Sequence, residues 1–63
     1  MNTTLRQLLL VDDEDAFRRM LSLRLSREGY TVLQAAHGKQ AMEVLRHAPV
    51  DLVLLDLRNA PLG

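Results

Sequence analysis

Two short runs of aliphatic residues, each followed directly by aspartate, constrain this chain most. The first run covers residues 8–11 and ends at Asp12, and the second is Leu52–Leu55 and ends at Asp56. An unbroken apolar run of this length is typical of a strand buried on both faces, as in a parallel sheet. The first run therefore predicts a buried parallel strand and the second predicts a further apolar strand, each with a carboxylate at its carboxyl end.

The residues around these runs predict two helices and a further strand. Residues 15–28 carry apolar side chains at spacings of three and four, which indicates an amphipathic helix ended by Gly29. Residues 30–35 are rich in strand-forming residues, residues 39–48 form a second helical pattern closed by Pro49, and residues 50–57 complete the second aliphatic strand. The order β-α-β-α-β predicts an α/β fold with parallel strands joined by right-handed crossovers.

The helical spacing also predicts which side chains enter the core. On the first helix we expect the apolar face to be Phe17, Met20, Leu21 and Leu25. On the second helix we expect Met42 to be buried. The basic residues of the first helix are predicted to form a solvated face, which comprises Arg18, Arg19, Arg24 and Arg27.

Composition narrows the possible functions. The 63 residues form at most one small domain, which buries only about 60% of its unfolded surface and so benefits from a metal or a partner chain. Cysteine is absent, and 8 basic residues balance 8 acidic ones, which argues against direct nucleic-acid binding or attraction to anionic lipid. The apolar runs are too short for a membrane span or a secretory signal, so we expect a cytoplasmic protein.

Three aspartates are the candidate functional residues. Asp12 and Asp13 follow the first strand and Asp56 follows the last, and the carboxyl ends of parallel strands form the ligand crevice of such sheets. Carboxylates that converge there repel one another unless a cation neutralises them, and hard oxygen ligands suit Mg²⁺. A purely structural interpretation, in which residues 12–15 only cap the first helix, stays open for that segment. We expect Asp51 to be an exposed residue at the start of its strand.

Four segments in register resemble a known family. They are LLVDDE at residues 9–14, EGYTV at 28–32, GKQA at 38–41 and DLVLLDL at 51–57. Together they closely resemble the receiver domain of two-component response regulators over residues 8–57. The resemblance implies the first half of a doubly wound, flavodoxin-like receiver fold.

The resemblance also implies a phosphoacceptor role and a metal site. By this resemblance Asp56 accepts a phosphoryl group from a sensor histidine kinase or a phosphotransfer protein, and the chain is not an enzyme with a substrate of its own. Mg²⁺ would be held by Asp13 directly, by Asp12 largely through water, by Asp56 and by the backbone carbonyl of Arg58. An aspartate carboxylate is a competent phosphoryl nucleophile, and the cation would neutralise the transferring group.

The sequence departs from the receiver pattern after its third strand. Pro61 stands one place later than receivers place it, and we interpret residues 1–63 as a truncated receiver. The resemblance requires a serine or threonine on a fourth strand and a lysine on a fifth, and Lys39 does not match that lysine. The main alternative is therefore a protein-interaction module that forms a homodimer through the open edge of the third strand.

Other interpretations fit the sequence less well. A dinucleotide-binding half-domain needs a glycine-rich loop where residues 12–15 are acidic. A phosphatase of the haloacid dehalogenase type usually has a second acid where Arg58 stands. His37 and His47 are predicted to be surface residues because neither has partners at ligand spacing.

Overall fold

A computed structural model describes residues 6–56 of the chain, and it confirms the β-α-β-α-β order. The elements are β1 (Gln7–Val11), α1 (Asp15–Arg27), β2 (Thr31–Ala35), α2 (Gly38–His47) and β3 (Leu52–Leu55). The three strands form one parallel sheet in the order β2-β1-β3. Within residues 6–56, no helix is long and apolar enough to cross a membrane.

The central position of β1 explains its unbroken apolar sequence. Leu9 pairs with Leu33 of β2 on one side and with Val53 of β3 on the other, and Leu9 is completely buried. Residues 8–11 are all buried, as predicted for a strand covered on both faces.

Among residues 6–56, β3 lies at an open edge of the sheet, as expected for the third strand. Leu52, Val53 and Leu55 are 42%, 41% and 58% exposed, although their sequence is as apolar as that of β1. Both helices pack on β1 and β2, so they leave the faces of β3 largely open. The exposure follows from the position of β3 at the edge of the sheet.

The ends of the helices agree with the sequence to within one residue. Gly29 has a φ of 103°, the left-handed conformation predicted for the residue that ends α1, and its N–H bonds the carbonyl of Ser26. His37 is exposed and precedes α2, where its Nδ1 accepts a hydrogen bond from the backbone N–H of Gln40. A side-chain acceptor at this position satisfies one of the free N–H groups of the first turn.

The predicted core face of α1 is wrong in part. Met20 is 58% exposed, whereas Arg18, which was predicted to lie on the solvated face, is buried, as is Ser22. Phe17 and Leu21 are half-buried. The helix therefore turns a partly polar face toward β1 and β2, which is possible because hydrogen bonds and an ion pair satisfy the Arg18 guanidinium.

The core lies between α2 and the sheet. Its buried members are Leu9, Val11, Ala35 and Ala41, and the partly buried residues against it are Leu33, Val44 and Val50. Met42 is 58% exposed, so its predicted burial is wrong. The small side chain of Ala41, one position earlier on the helix, allows the backbone of α2 to approach the sheet closely.

Asp51 ties the start of β3 to the start of β1. Its Oδ2 accepts hydrogen bonds from the backbone N–H of Gln7 at 2.9 Å and from that of Arg6 at 3.1 Å. These two bonds, that from Gln7 first, hold the pKa of the Asp51 carboxyl below its usual value. Asp51 is exposed, as predicted, but it also connects two strands.

Candidate functional site

Asp12 and Asp56 lie side by side at the carboxyl edge of the sheet. Val11 pairs with Leu55 in the parallel register of β1 and β3, so the next residue on each strand is an aspartate. The backbone N–H of Asp56 donates to the carbonyl of Val11 at 3.1 Å. The tertiary fold thus brings together two residues that are 44 positions apart in the chain.

Residues 12–15, which we name the acidic turn, hold Asp12 and Asp13 in different environments. Asp12 is 2% exposed, and its Oδ1 accepts the backbone N–H of Glu14 at 2.9 Å. The N–H of Asp12 donates to the carbonyl of Ala35 on β2 at 3.1 Å. Asp13 is exposed. The turn therefore fixes one carboxylate against the protein and leaves the next one open to solvent.

A concavity of about 300 Å³ lies next to these acids. Its wall is largely aliphatic and aromatic, and the residues that line it are Leu10, Asp12, Phe17, Leu21, Leu54, Leu55 and Asp56. Two of the three candidate aspartates therefore border the same depression. The apolar wall lowers the local dielectric beside the Asp56 carboxylate, which strengthens electrostatic interactions there.

Arg18 is a site residue that the sequence interpretation missed. Its Nη1 donates to the backbone carbonyl of Asp12 at 2.8 Å and lies 2.8 Å from Oδ1 of Asp15, while its Nε donates to Oε1 of Gln34 at 3.0 Å. Two sequence signals could have indicated this role. Asp15 and Arg18 have the i, i+3 spacing of a helical ion pair, and Gln34 is a polar residue within an otherwise strand-forming segment.

The chemistry of the donors fits a hard divalent cation. Across residues 6–56, no three acidic, histidine or cysteine side chains form a ready-made metal-binding group. Mg²⁺ commonly takes one or two protein carboxylates and retains water, and the adjacent strand ends at Asp12 and Asp56 carry carboxylates of this kind. The fourth predicted ligand, the carbonyl of Arg58, lies outside the described residues. Asp12 and Asp13 would hold the cation on the β1 side and Asp56 on the β3 side.

The remaining candidates lie elsewhere. His37 caps α2, and His47 is exposed at its end, with Nε2 3.8 Å from Oε2 of Glu43. Lys39 is exposed in the first turn of α2. Asp51 lies at the opposite end of β3 from Asp56.

Comparison with known families identifies the family of the chain. The family model described as the response regulator receiver domain matches residues 8–58, which include all four proposed metal ligands. The chain belongs to the receiver domain family. This membership confirms the resemblance on which the site was assigned, and it supports a place in two-component signalling.

The chain is also similar to individual proteins of known name. The chain is 49% identical over 51 residues to the transcriptional regulatory protein GlrR of Escherichia coli, which covers 81% of this chain and 12% of GlrR. It is 40% identical over 52 residues to sporulation initiation phosphotransferase F of Bacillus subtilis, which covers 82% of this chain and 42% of that protein. The chain thus spans less than half the length of these relatives. No solved structure matches it significantly.

Proposed function

We propose that this receiver segment accepts a phosphoryl group on Asp56 from a sensor histidine kinase or a phosphotransfer protein, with Mg²⁺ at Asp12, Asp13 and Asp56. One observation carries the proposal. The pairing of Val11 with Leu55 brings the nucleophile candidate of β3 next to the acidic turn of β1. The Arg58 carbonyl would complete the ligand set.

The proposed step transfers a phosphoryl group from a histidine nitrogen of the donor to a carboxylate oxygen of Asp56. A carboxylate oxygen of Asp56 attacks the phosphorus of a phosphohistidine, the P–N bond breaks, and an acyl phosphate forms on Asp56. Bound Mg²⁺ would supply positive charge for the phosphoryl oxygens and orient them for in-line attack. The backbone bond from the Asp56 N–H to Val11 holds the residue in place on the sheet. The backbone position of the nucleophile is therefore set by the sheet before a donor binds.

The family supports the choice of partner. One relative is named a phosphotransferase, and that name is consistent with a phosphoryl group passed between proteins. We propose that the chain acts in the cytoplasm as the recipient of the phosphoryl group, not as an enzyme with its own substrate. The balanced charge of the sequence gives no reason to propose direct nucleic-acid binding.

Phosphorylation of Asp56 can be tested with a small donor. The chain is incubated with acetyl phosphate and Mg²⁺, the acyl phosphate is trapped chemically, and the labelled residue is mapped by mass spectrometry. We expect label on Asp56 and a loss of on the order of a hundredfold or more in Asp56→Asn, because the nucleophile is removed. Asp51→Asn, at the other end of β3, is the matched control and should label normally.

The rate of labelling carries a second expectation. Residues 6–56 contain no fourth or fifth strand, so they do not supply the strand-end hydroxyl and lysine that the receiver resemblance requires. Each missing donor or charge typically costs on the order of a hundredfold, so labelling of this chain alone should be slow. Label at any residue other than Asp56 would overturn the assignment, and rapid labelling would overturn the argument about the missing groups.

A second candidate function is an interaction module. The edge of β3 that faces away from β1 has no strand beside it among residues 6–56, and three of its apolar side chains are exposed. Such an edge can pair with another chain through its backbone groups. We propose a homodimer through β3 as the alternative to phosphotransfer.

A further inference from the structure

We infer that Arg18 is a positioning residue that holds the acidic turn in the geometry needed to bind a divalent cation. The inference rests on the proposed function, because it concerns the same metal site. The bonds of Arg18 go to the backbone of Asp12 and to the side chains of Asp15 and Gln34, so it would act on a cation through the acidic turn.

The guanidinium of Arg18 joins three elements at one point. It bonds the residue that follows β1 (Asp12), the residue that begins α1 (Asp15) and a side chain of β2 (Gln34). The Arg18 side chain is only 11% exposed. Withdrawing a permanently charged group from water is costly unless acceptors compensate for the lost hydration. The burial of Arg18 therefore requires its three acceptors to stay in place.

The bond from Arg18 to the Asp12 carbonyl orients the peptide group between Asp12 and Asp13. The carbonyl of Asp12 and the N–H of Asp13 belong to the same planar peptide group, so fixing the one orients the other. The N–H of Asp12 is already fixed by Ala35, and the Asp12 carboxylate is fixed by Glu14. With the Arg18 bond, the backbone on both sides of Asp12 is held, so the peptide group that leads into Asp13 has a fixed orientation.

Arg18 also balances charge behind the turn. The acidic turn brings four carboxylates into four consecutive positions, and their mutual repulsion opposes a compact conformation. A guanidinium stays protonated at any relevant pH, so it supplies this compensation whether or not a cation is bound. Its Nε and Nη1 donate to different partners, Gln34 and the Asp12 carbonyl. A lysine ammonium, with a single nitrogen, cannot make both bonds with the same geometry.

The test is a Mg²⁺ titration of the 63-residue chain followed by amide NMR signals. Supporting partners of metal ligands typically contribute ten- to a hundredfold in affinity, so Arg18→Met should raise the Kd by at least about tenfold. Arg18→Lys keeps the charge and should fall between Arg18→Met and the unchanged chain. Arg19→Met, at the exposed neighbouring arginine, is the matched control and should change the Kd by less than about twofold.

Two further measurements separate positioning from folding. In the metal-free chain, Arg18→Met should shift the amide signals of Asp13 and Glu14 more than those of α2. Should Arg18→Met not fold, Gln34→Met removes only the acceptor of Nε at an exposed position of β2, and it should raise the Kd about threefold.

The outcomes distinguish the inference from the proposed function. A lower melting temperature with an unchanged Kd in Arg18→Met would mean a structural role only and would overturn the inference, while the proposed metal site would stand. No response of the Asp13 and Asp56 amides in the unchanged chain would overturn the metal site, and the inference with it.

Discussion

At the scale of single residues, the aspartates of this chain show how position decides the role of one side chain. Asp12 is buried and bonded to backbone, Asp13 is exposed, and Asp56 follows the paired end of β3. Asp51 is exposed as well, but it accepts hydrogen bonds from two backbone N–H groups at the start of β1, at the opposite end of the β1–β3 pair from Asp56. An aspartate can therefore be a candidate metal ligand at one position of the fold and a structural hydrogen-bond acceptor at another.

Asp51 predicts a dependence of stability on acid. Because its pKa is lower in the folded chain than in the unfolded one, the unfolded state binds more protons at low pH, and folding stability rises with pH in that range. The contribution is complete above the ordinary aspartate pKa of about 4 and is lost as the pH falls through the lowered folded value. We expect Asp51→Ala to reduce the melting temperature at pH 7 and to weaken the dependence of the melting temperature on pH below about 4.

Asp51→Asn is the matched variant for this prediction. Its amide oxygen can still accept the N–H groups of Arg6 and Gln7, but it does not titrate. It should keep more stability than Asp51→Ala at pH 7, and the same part of the acid dependence should disappear. Thermal unfolding followed by circular dichroism over this pH range measures both effects. An unaltered pH profile in Asp51→Asn would contradict the assignment.

At the scale of elements, the ends of the helices depend on local backbone conformation more than on packing. Gly29 ends α1 with a φ of 103°, whereas Gly38 begins α2 without a positive φ, and a Cβ added at either residue would meet no atom within 4 Å. Space is therefore the same at both positions, and only the conformation differs.

The two glycines predict opposite effects of the same substitution. Gly29→Ala forces a Cβ into the left-handed region and should destabilise the chain by about 1 kcal/mol. Gly38→Ala reduces the entropy of the unfolded chain at a helical position and should stabilise it by about 0.5 kcal/mol. Denaturant unfolding of both variants measures the difference. Equal effects of the same sign would show that the conformation of Gly29 does not control the end of α1.

At the scale of the whole molecule, the helices cover two of the three strands. Both pack on β1 and β2, and β3 keeps apolar side chains in solvent. A chain of this length has a small core, and an open apolar edge is a site for pairing between chains. We therefore expect the chain to be dimeric, partly unfolded or prone to aggregation when it is isolated.

A charge on β3 should weaken this association. Val53 and Leu45 are both 41% exposed, so Val53→Lys tests the strand and Leu45→Lys on α2 is its matched control. We expect Val53→Lys to raise the dimer dissociation constant by about tenfold, equivalent to about 1.4 kcal/mol, and Leu45→Lys to leave it nearly unchanged. Sedimentation velocity over a concentration series measures both. A well-folded monomer at every concentration would contradict the expected association.

The sequence by itself determined the order of the elements, their ends to within about two residues and the family. Each of these depends on local patterns: an unbroken apolar run in β1, helical spacing in α1 and α2, and Gly29 where a left-handed residue was required. The candidate aspartates were also evident, because they stand directly after the aliphatic runs.

Only the tertiary structure decided which strand is central and which face of α1 is buried. β1 and β3 have equally apolar sequences, yet β1 lies between two strands and β3 at the edge, since burial depends on neighbours distant in the chain. Arg18 and Met20 exchanged their predicted environments for the same reason. Asp12, Asp15 and Gln34 offer the guanidinium its partners only after β1, β2 and α1 have packed together, and no pattern local to α1 contains that information.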